Sequence, residues 1–349
     1  MNYKNVHLES FGYELPPVVV TSTELESRIA PLYEKLRIPP GQLEALTGIS
    51  ERRWWNEGYA LSEGAAAAAK KALAKSNVQA KDIQALVYAG VCRENFEPAT
   101  ACAVAAQLGI AANAFVYDIS NACLGVLNGI IDVANRIELG QITAGMVVSC
   151  ESAREINDIM IRKMLASPTM PMFTQSLATL TGGSGAVAVI LTHKSLSQDK
   201  RRRLLGGVAH TAPEHHRLCR WGTEPDPAAA NTISQFMTTD SVSVLKYGVE
   251  LGTRTWNDLL HTLAWTPQDV DKVICHQVGH GHRNTILKQI EIPADKDFST
   301  FSYLGNIGTV SLPLTAALAE QRHFFKAGDR VAFLGIGSGL NCLMLGWEW

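Results

Sequence analysis

The chain has 349 residues, 46% of them hydrophobic and 18% charged; this composition suits a large apolar core and excludes a disordered chain. The formal net charge is -2, so the basic excess typical of nucleic-acid-binding proteins is absent. No apolar run reaches the about 20 residues of a membrane helix, and the N-terminus lacks the apolar region of a secretory signal. Seven scattered cysteines favour a reducing compartment over a disulfide scaffold. We therefore expect a globular cytoplasmic protein with no nucleic-acid or membrane partner.

Helix and strand patterns alternate through the first 150 residues, which is typical of a layered α/β fold. Short apolar runs predict buried strands, and alanine-rich or amphipathic stretches predict the helices between them. The predicted elements are, in chain order, a helix over 62–76 with Ser62 as its N-cap, a strand over 83–91, a helix from Pro98 to Gly109, a strand over 114–120, a helix over 123–140 and a strand over 146–152.

The second half of the chain repeats this alternation. Segment 269–279 resembles 81–91, and segment 329–339 resembles 144–152. We therefore expect two related halves whose strand ends converge on one site. The predicted elements of this half are a helix over 249–265, a strand over 269–279, a helix over 310–325 and a strand over 329–339.

The pattern also suggests a division of the chain. We place the boundary between residues 195 and 196. The N-terminal half over 1–195 then contains Cys123 and the insertion 153–181, and the C-terminal half over 196–349 contains His276 and Asn306. The stretches 153–181 and 209–245 have no counterpart in the other half and carry methionine, proline and threonine. We expect these two insertions to form a cap over the site.

Cys123 stands between a predicted strand and the start of a predicted helix. The positive end of a helix dipole lowers a thiol pKa and favours the nucleophilic thiolate, and its unpaired backbone N–H groups can hold an oxyanion. The alternative is that Cys123 is a small buried hydrophobic residue, which suits the other six cysteines better.

Three features of the second half follow predicted strands. His276 ends the strand VIC, Asn306 lies in a glycine-flanked turn, and the glycine-rich segment 335–339 can bring backbone N–H groups close to a ligand. With Cys123, they would supply a nucleophile, a base or electrophile, and an orienting donor. A hydrogen-bonded structural histidine is the alternative for His276, and glycine-rich turns are common.

Two further patterns are weaker. Cys275, His276, His280 and His282 are close in sequence and could suggest zinc, but neighbouring residues of a strand point to opposite faces, so we expect no metal. The basic run from Lys200 to Arg203 is interpreted as a solvated surface.

Taken together, these motifs resemble the thiolase superfamily, and more closely its β-ketoacyl-acyl-carrier-protein synthase III branch. The resemblance covers nearly the whole chain, and the combination is far more specific than any single motif. The matching segments are TGISERR (47–53), Asp118 with NAC (121–123), GGSGAVAVIL (182–191), CHQ (275–277), GNIG (305–308) and GIGSG (335–339).

The resemblance implies a five-layered α-β-α-β-α fold of two related halves, usually assembled as a homodimer. It also implies that Cys123 takes the acyl group, while His276 and Asn306 bind the second thioester. The oxyanion hole would be formed by the backbone N–H groups of Cys123 and Ser338. No cofactor or metal is implied, since coenzyme A thioesters are the substrates.

The chain departs from the housekeeping members of this branch. Gln42 or Leu43 stands where many members have a tryptophan, and Val278 and Gly279 replace the usual Ala-Asn after the histidine and glutamine. These versions look more like the ketosynthases of olefin biosynthesis, which join two acyl-CoAs head to head. In those enzymes a glutamate from the partner subunit acts as a base, and Glu97 matches its position. Without the resemblance, Glu97 would be interpreted as an exposed loop carboxylate.

The sequence therefore predicts a β-ketoacyl synthase III-like acyltransferase of fatty-acid biosynthesis. An acyl-CoA would acylate Cys123, and decarboxylative Claisen condensation with malonyl-acyl carrier protein or malonyl-CoA would follow. Head-to-head condensation of two long acyl-CoAs is the alternative, which needs Glu97 to remove an α-proton. A cysteine hydrolase or simple acyltransferase, for which Asn306 would be dispensable, is the alternative from a different class.

An acyl tunnel is the last expectation. Unbranched, polarizable methionines adapt to flexible apolar chains, so the segment 164–173 is predicted to line a medium- or long-chain site. Equally, these methionines could fill the core of the cap. The residues concerned are Met164, Met170, Met172 and Phe173.

Overall fold

The computed structural model describes residues 1–197, 202–226 and 231–349. Its strands are β1 Val6–Glu14, β2 Val18–Thr21, β3 Glu51–Trp54, β4 Ala85–Ala89, β5 Phe115–Ile119, β6 Ala144–Glu151, β7 Gly185–His193, β8 Arg203–Thr211, β9 Cys219–Pro225, β10 Ile233–Thr239, β11 Lys272–Cys275, β12 Arg330–Gly337 and β13 Asn341–Glu348. Its α-helices are α1 Ser22–Arg28, α2 Ala30–Leu36, α3 Gln42–Thr47, α4 Leu61–Ala74, α5 Thr100–Leu108, α6 Gly125–Glu138, α7 Arg154–Ala166, α8 Met170–Leu180, α9 Ser241–Leu263, α10 His280–Gln289, α11 Phe301–Leu304 and α12 Ser311–Gln321.

The large sheet has two halves with the same arrangement of antiparallel and parallel strands. The hydrogen-bonded order is β11-β12-β13-β8-β1-β7-β6-β4-β5, and the halves meet where His7 on β1 pairs with Arg203 on β8. In each half the strands nearest this junction are antiparallel, whereas the outer strands are parallel. The repeated helix and strand patterns of the sequence thus correspond to repeated strand order.

Three apolar clusters show how the layers stack. Helices α6 and α12 share one cluster with strands of both halves of the sheet, so they form the middle layer. Helices α4 and α5 cover the outer face of the first half, and α9 and α10 cover the outer face of the second. This is the five-layered α-β-α-β-α arrangement predicted from the sequence, and burial between two layers explains the continuous apolar runs of β4, β6 and β7.

The cap consists of helices α7 and α8 together with the β9–β10 hairpin. The Lys163 ammonium on α7 forms a 2.6 Å ion pair with Glu224 on β9. The expected cap segment 209–245 was too long, because residues 209–211 belong to β8 in the large sheet and residues from Ser241 onward belong to α9.

Several element boundaries differ from the predictions. Ser62 is not an N-cap, since α4 begins one residue earlier and the Ser62 N–H is satisfied by the Glu94 carboxylate at 2.6 Å. Helix α6 begins at Gly125 rather than Cys123. Helix α9 begins at Ser241, where Asp240 caps it by accepting the Ser243 N–H.

The proposed division at residues 195 and 196 falls between β7 and β8 and stays a prediction. Of the basic run, Lys200 and Arg201 lie outside the described residues, while Arg202 forms an ion pair with Glu320 at 2.8 Å. None of the helices within the described ranges has the length and apolar character needed to cross a membrane.

Candidate active site

A cavity of about 550 Å³ lies between the two halves and the cap. This volume falls within the range of small-molecule sites. Cys123, His276 and Asn306 all line it, although they are far apart in sequence. The cap contributes Ile156, Asn157, Ala178, Thr179, Cys219, Arg220, Trp221, Phe236 and Met237 to the lining.

Cys123 lies in the short connection between β5 and α6. The preceding residue, Ala122, has a left-handed backbone with φ of +44°, which turns the chain sharply before the helix. At the end of β12, a Cβ atom built on Gly337 would lie 3.4 Å from the Cys123 backbone nitrogen. The second half of the chain therefore lies within van der Waals contact distance of the Cys123 segment at this point.

The electrostatics of Cys123 differ from the sequence expectation. Burial, followed by the nearby Cys219 and Glu151, raises the pKa of the Cys123 thiol to about 12. A lowered pKa was wrong because desolvation of the thiolate outweighs any stabilisation by a helix that begins two residues later. Cys123 is thus a neutral thiol at rest, and its proton must be removed when it reacts.

His276 follows the end of β11 and is only 8% exposed. Its backbone N–H donates to the Leu334 carbonyl at 3.0 Å, which fixes the residue against β12. Burial, followed by the nearby His282, lowers the pKa of His276 to about 4. The imidazole is therefore neutral near pH 7, with one ring nitrogen able to accept a proton and the other able to donate one.

Asn306 is fixed by both its backbone and its side chain. Its N–H donates to the Thr181 carbonyl at 2.9 Å, and its carbonyl accepts the Gly183 N–H at 2.8 Å. Its Oδ1 accepts the Gly308 N–H at 3.0 Å, at a position where φ is +55° and glycine is favoured. This bond leaves the amide nitrogen Nδ2 of Asn306 as a donor for a ligand oxygen.

Ser338 lies in the turn between β12 and β13, next to Cys123. Both Ser338 and the preceding Gly337 line the cavity. The backbone of the turn is held by the residue that follows β8, because Leu340 exchanges two hydrogen bonds of 3.1 and 2.8 Å with Ala212. The two backbone segments that the sequence assigned to the oxyanion hole are therefore neighbours, and their role stays a prediction.

Glu151 is a cavity residue that the sequence analysis did not single out. It ends β6, is 4% exposed, and its carboxylate accepts the N–H groups of Val91 at 2.9 Å and Cys92 at 3.1 Å. Burial raises the pKa of Glu151, whereas these hydrogen bonds lower it. A carboxylate at the end of a buried strand was the available signal.

Glu97 does not line the cavity of its own chain. It lies on an exposed loop beside Phe96, whose side chain is fully exposed at 103%. Carboxylates hold both ends of this loop: Glu151 binds Val91 and Cys92, and Asp118 accepts the Thr100 and Ala101 N–H groups at 2.9 Å each. A single chain therefore presents Glu97 outward, away from its own Cys123.

The methionine-rich segment does not form the cavity wall, so this part of the prediction was wrong. Met164 and Phe173 are buried with Leu25 and Leu32 in a cluster between the cap and the first helices, and Met172 packs against it. Met170 is 45% exposed. The segment turns away because the opposite faces of α7 and α8, carrying Ile156, Asn157, Ala178 and Thr179, face the cavity.

The cysteine and histidine cluster at 275–282 was the possible metal site suggested by the sequence. Within residues 1–197, 202–226 and 231–349, no group of three or more His, Cys, Asp or Glu side chains is placed to hold a metal ion. All seven cysteines are free thiols.

Comparison with known proteins places these observations in context. Residues 56–210 match the thiolase N-terminal domain, and residues 260–349 match the C-terminal domain of 3-oxoacyl-[acyl-carrier-protein] synthase III. The chain is 58% identical to an acyl-CoA:acyl-CoA alkyltransferase of Shewanella oneidensis, over 100% of both chains. It is 27% identical to a β-ketoacyl-[acyl-carrier-protein] synthase III of Koribacter versatilis, over 97% of this chain and 96% of the other.

A solved structure has a similar fold over nearly the whole chain. The crystal structure of a Cys-to-Ser variant of Xanthomonas campestris OleA with bound lauric acid and lauroyl-CoA superposes with a TM-score of 0.92 at 32% identity. The match covers 99% of this chain and 100% of the other.

Proposed function

Because the chain belongs to the thiolase superfamily, and within it to the acyl-CoA:acyl-CoA alkyltransferase family, we propose that it joins two acyl-CoA molecules head to head without decarboxylation. The 58% identity to a protein of that name carries the proposal, since the match to a β-ketoacyl synthase III is only 27%. The sequence analysis preferred malonyl-dependent condensation, but the comparisons support its alternative, the head-to-head condensation of two acyl-CoAs, better. The coarser prediction, a thiolase-type condensing acyltransferase, is confirmed.

The first half-reaction acylates Cys123. Its thiol is neutral at rest, and the neutral imidazole of His276, which lines the same cavity, accepts the proton. The sulfur then attacks the acyl-CoA thioester carbon, the backbone N–H groups of Cys123 and Ser338 hold the oxyanion, and coenzyme A leaves with the proton. His276 is neutral again after this exchange.

The second half-reaction forms the carbon–carbon bond. A second acyl-CoA places its thioester oxygen against the His276 imidazole N–H and the Asn306 Nδ2 donor, which stabilise an enolate. The Glu97 carboxylate of a second copy removes the α-proton. The carbanion attacks the acyl group on Cys123, which expels the Cys123 thiolate and yields a β-ketoacyl-CoA. The proton taken up by Glu97 is then returned to the thiolate, which restores the neutral thiol. No metal or cofactor and no malonyl-acyl carrier protein takes part.

A homodimer follows from this mechanism. Glu97 lies outside the cavity of its own chain, so a base at this position must serve a neighbouring site. Strand β5 is an edge strand of the large sheet, with no second strand beside it among the described residues, and its Phe115 is 49% exposed. Unpaired edges and exposed aromatic side chains are features that partner chains cover. Phe96 and Glu97 extend from a loop anchored next to that edge.

The substrates we propose are medium- to long-chain acyl-CoAs. A cavity of about 550 Å³ with mostly apolar lining suits an alkyl chain better than an acetyl group. Trp221, Phe236 and Met237 of the cap hairpin supply apolar walls.

The experiment supplies dodecanoyl-CoA alone, or with malonyl-CoA or malonyl-acyl carrier protein, and measures β-keto product and carbon dioxide. We expect product from dodecanoyl-CoA alone without carbon dioxide. Glu97→Ala should lower this rate ~100- to 10,000-fold, as for loss of a general base. Glu57→Gln, at another exposed carboxylate, is the control and should leave it unchanged. Product that requires a malonyl donor would contradict the proposal.

Mixing variants tests whether the base acts across an interface. Glu97→Ala retains Cys123, and Cys123→Ser retains Glu97, so a mixed dimer contains one complete site. Activity should return when the two inactive proteins are mixed and allowed to exchange subunits. The cysteine hydrolase would be favoured by a different pair of results. The wild type would form no condensation product, and hydrolysis of acyl-CoA would be retained in Asn306→Ala.

A further inference from the structure

Two side-chain amides connect the segment before Cys123 to the turn that carries Ser338. The Asn341 Nδ2 donates to Asn121 Oδ1 at 3.1 Å and to the Ser338 carbonyl at 3.4 Å. The Asn121 Nδ2 in turn donates to Asn128 Oδ1 at 2.8 Å, on the second turn of α6. One chain of hydrogen bonds therefore spans residues 220 positions apart and ends at the helix that follows the nucleophile.

The two amides lie behind the cavity wall rather than in it. Neither Asn121 nor Asn341 lines the cavity, whereas their chain neighbours do. The lining neighbours are Ser120, Ala122 and Cys123 on one side and Ser338 and Leu340 on the other. A substrate in the cavity would thus touch the backbone that the amides hold, and any effect of the amides on the reaction must pass through that backbone.

The local backbone leaves room for this connection. A Cβ atom built on Gly339 would lie 2.5 Å from the Asn341 Nδ2, and Gly339 has a φ of +142°. Only glycine at this position accommodates both the conformation and the amide. The turn is therefore shaped around the Asn341 side chain.

From this arrangement we propose that Asn121 and Asn341 are positioning residues that set the backbone N–H groups of Cys123 and Ser338 at the spacing needed to share one thioester oxygen. Oxyanion donors act only when both are about 2.7–3.1 Å from the developing charge. By binding the Ser338 carbonyl, Asn341 restricts rotation of the turn that also carries the Ser338 N–H. This inference rests on the proposed function, because it assumes that Cys123 accepts an acyl group.

The test measures single-turnover acylation of Cys123 by dodecanoyl-CoA, followed by intact-protein mass spectrometry. Asn341→Ala and Asn121→Ala should each lower the maximal acylation rate ~10- to 100-fold. The dodecanoyl-CoA concentration that gives half of the maximal rate should change less than about threefold. The double variant should be no slower than the slower single variant, since both substitutions break the same bridge. Asn341→Asp, which removes the donor at nearly unchanged volume, carries the test if the alanine variant does not fold.

A matched control separates positioning from general stability. Asn135 accepts a 2.7 Å hydrogen bond from the Tyr3 hydroxyl outside the cavity lining. Asn135→Ala should lower the melting temperature without changing the acylation rate.

A spectroscopic readout reports on the oxyanion hole directly. In an acyl-enzyme labelled with carbon-13 at the carbonyl, the stretching frequency should move higher in Asn341→Asp, because the thioester oxygen accepts weaker hydrogen bonds. Folded variants with wild-type acylation rates and an unchanged carbonyl frequency would overturn the inference alone. A wild-type protein that is never acylated would overturn the proposed function, and the inference with it.

Discussion

The backbone N–H of Val126 donates a 2.7 Å hydrogen bond to the hydroxyl of Thr309. Val126 lies in the first turn of α6, directly after the nucleophile segment, where N–H groups have no partner within the helix. Thr309 follows the turn that fixes Asn306. A side chain from the second half of the protein thus caps the helix that follows Cys123 and sets the distance between two site residues.

Thr309→Val should destabilise the fold and disturb the site together. It preserves the shape of the side chain but leaves the buried Val126 N–H unsatisfied, which costs about 1–3 kcal/mol. Thr309→Ser keeps the hydroxyl and is the control, with only a lost methyl group. Urea unfolding and the acylation rate measure both effects; equal behaviour of the two variants would show that the hydrogen bond contributes nothing.

The stability of the protein should fall as the pH drops from about 6.5 to 4. The pKa of His276 is about 4 in the folded protein against 6.5 for the free side chain, so the unfolded chain binds more protons across this interval. One pKa unit corresponds to about 1.4 kcal/mol, which gives a loss on the order of 3 kcal/mol from this residue. The contribution is fully present above pH 6.5.

His276→Asn removes this titration and should flatten the dependence of unfolding free energy on pH between 6.5 and 4.5. His282, whose pKa burial also lowers, is retained and titrates in both proteins. An identical slope in wild type and variant would contradict a buried, neutral His276.

The Cys123 thiol should react slowly with iodoacetamide near pH 7.5, despite its role as nucleophile. Its pKa of about 12 leaves almost no thiolate, whereas Cys102 is exposed on α5. Peptide mapping by mass spectrometry should find Cys102 alkylated first. Cys102→Ser is the control and shows how much labelling comes from the other cysteines. If Cys123 were labelled as rapidly as Cys102, the lowered pKa that the sequence predicted for Cys123 would be supported instead.

Met237 should influence the acyl chain length that the enzyme accepts, and Met170 should not. Met237 lines the cavity, whereas Met170 is 45% exposed on the cap. Met237→Trp should lower acylation by tetradecanoyl-CoA about tenfold relative to octanoyl-CoA, as expected for a few methylenes excluded from an apolar site. Met170→Trp is the control, and an equal effect of both substitutions would place the acyl chain elsewhere.

Part of the element order and the identity of the main site residues could be predicted from the sequence. Alternating apolar runs and helical patterns are local signals, and they predicted β4, β5, β6, β11, β12 and the middle helix after Cys123. The other four strands of the large sheet, β1, β7, β8 and β13, were not predicted. Cys123 followed a predicted strand and His276 lay near the end of another, so their convergence on one cavity could be expected from how strand ends meet. No strand was predicted before Asn306, which follows helix α11 in the structure.

Other features depended on packing between distant segments. The methionine segment 164–173 packs into the cluster between the cap and the first helices, and only the tertiary structure decided that Ile156 and Thr179 face the cavity instead. The pKa of Cys123 was mispredicted because the helix is a local feature, while desolvation depends on everything packed around the sulfur.

The sequence by itself determined the layered α/β fold and the main reactive side chains, because hydrophobic periodicity and catalytic motifs are local features of short segments. Only the tertiary structure decided the orientation of Glu97, the hydrogen bonds of Glu151 and the bridge between Asn121 and Asn341. These contacts join segments with no local signal for one another, and burial and hydrogen bonding exist only once those segments are packed together.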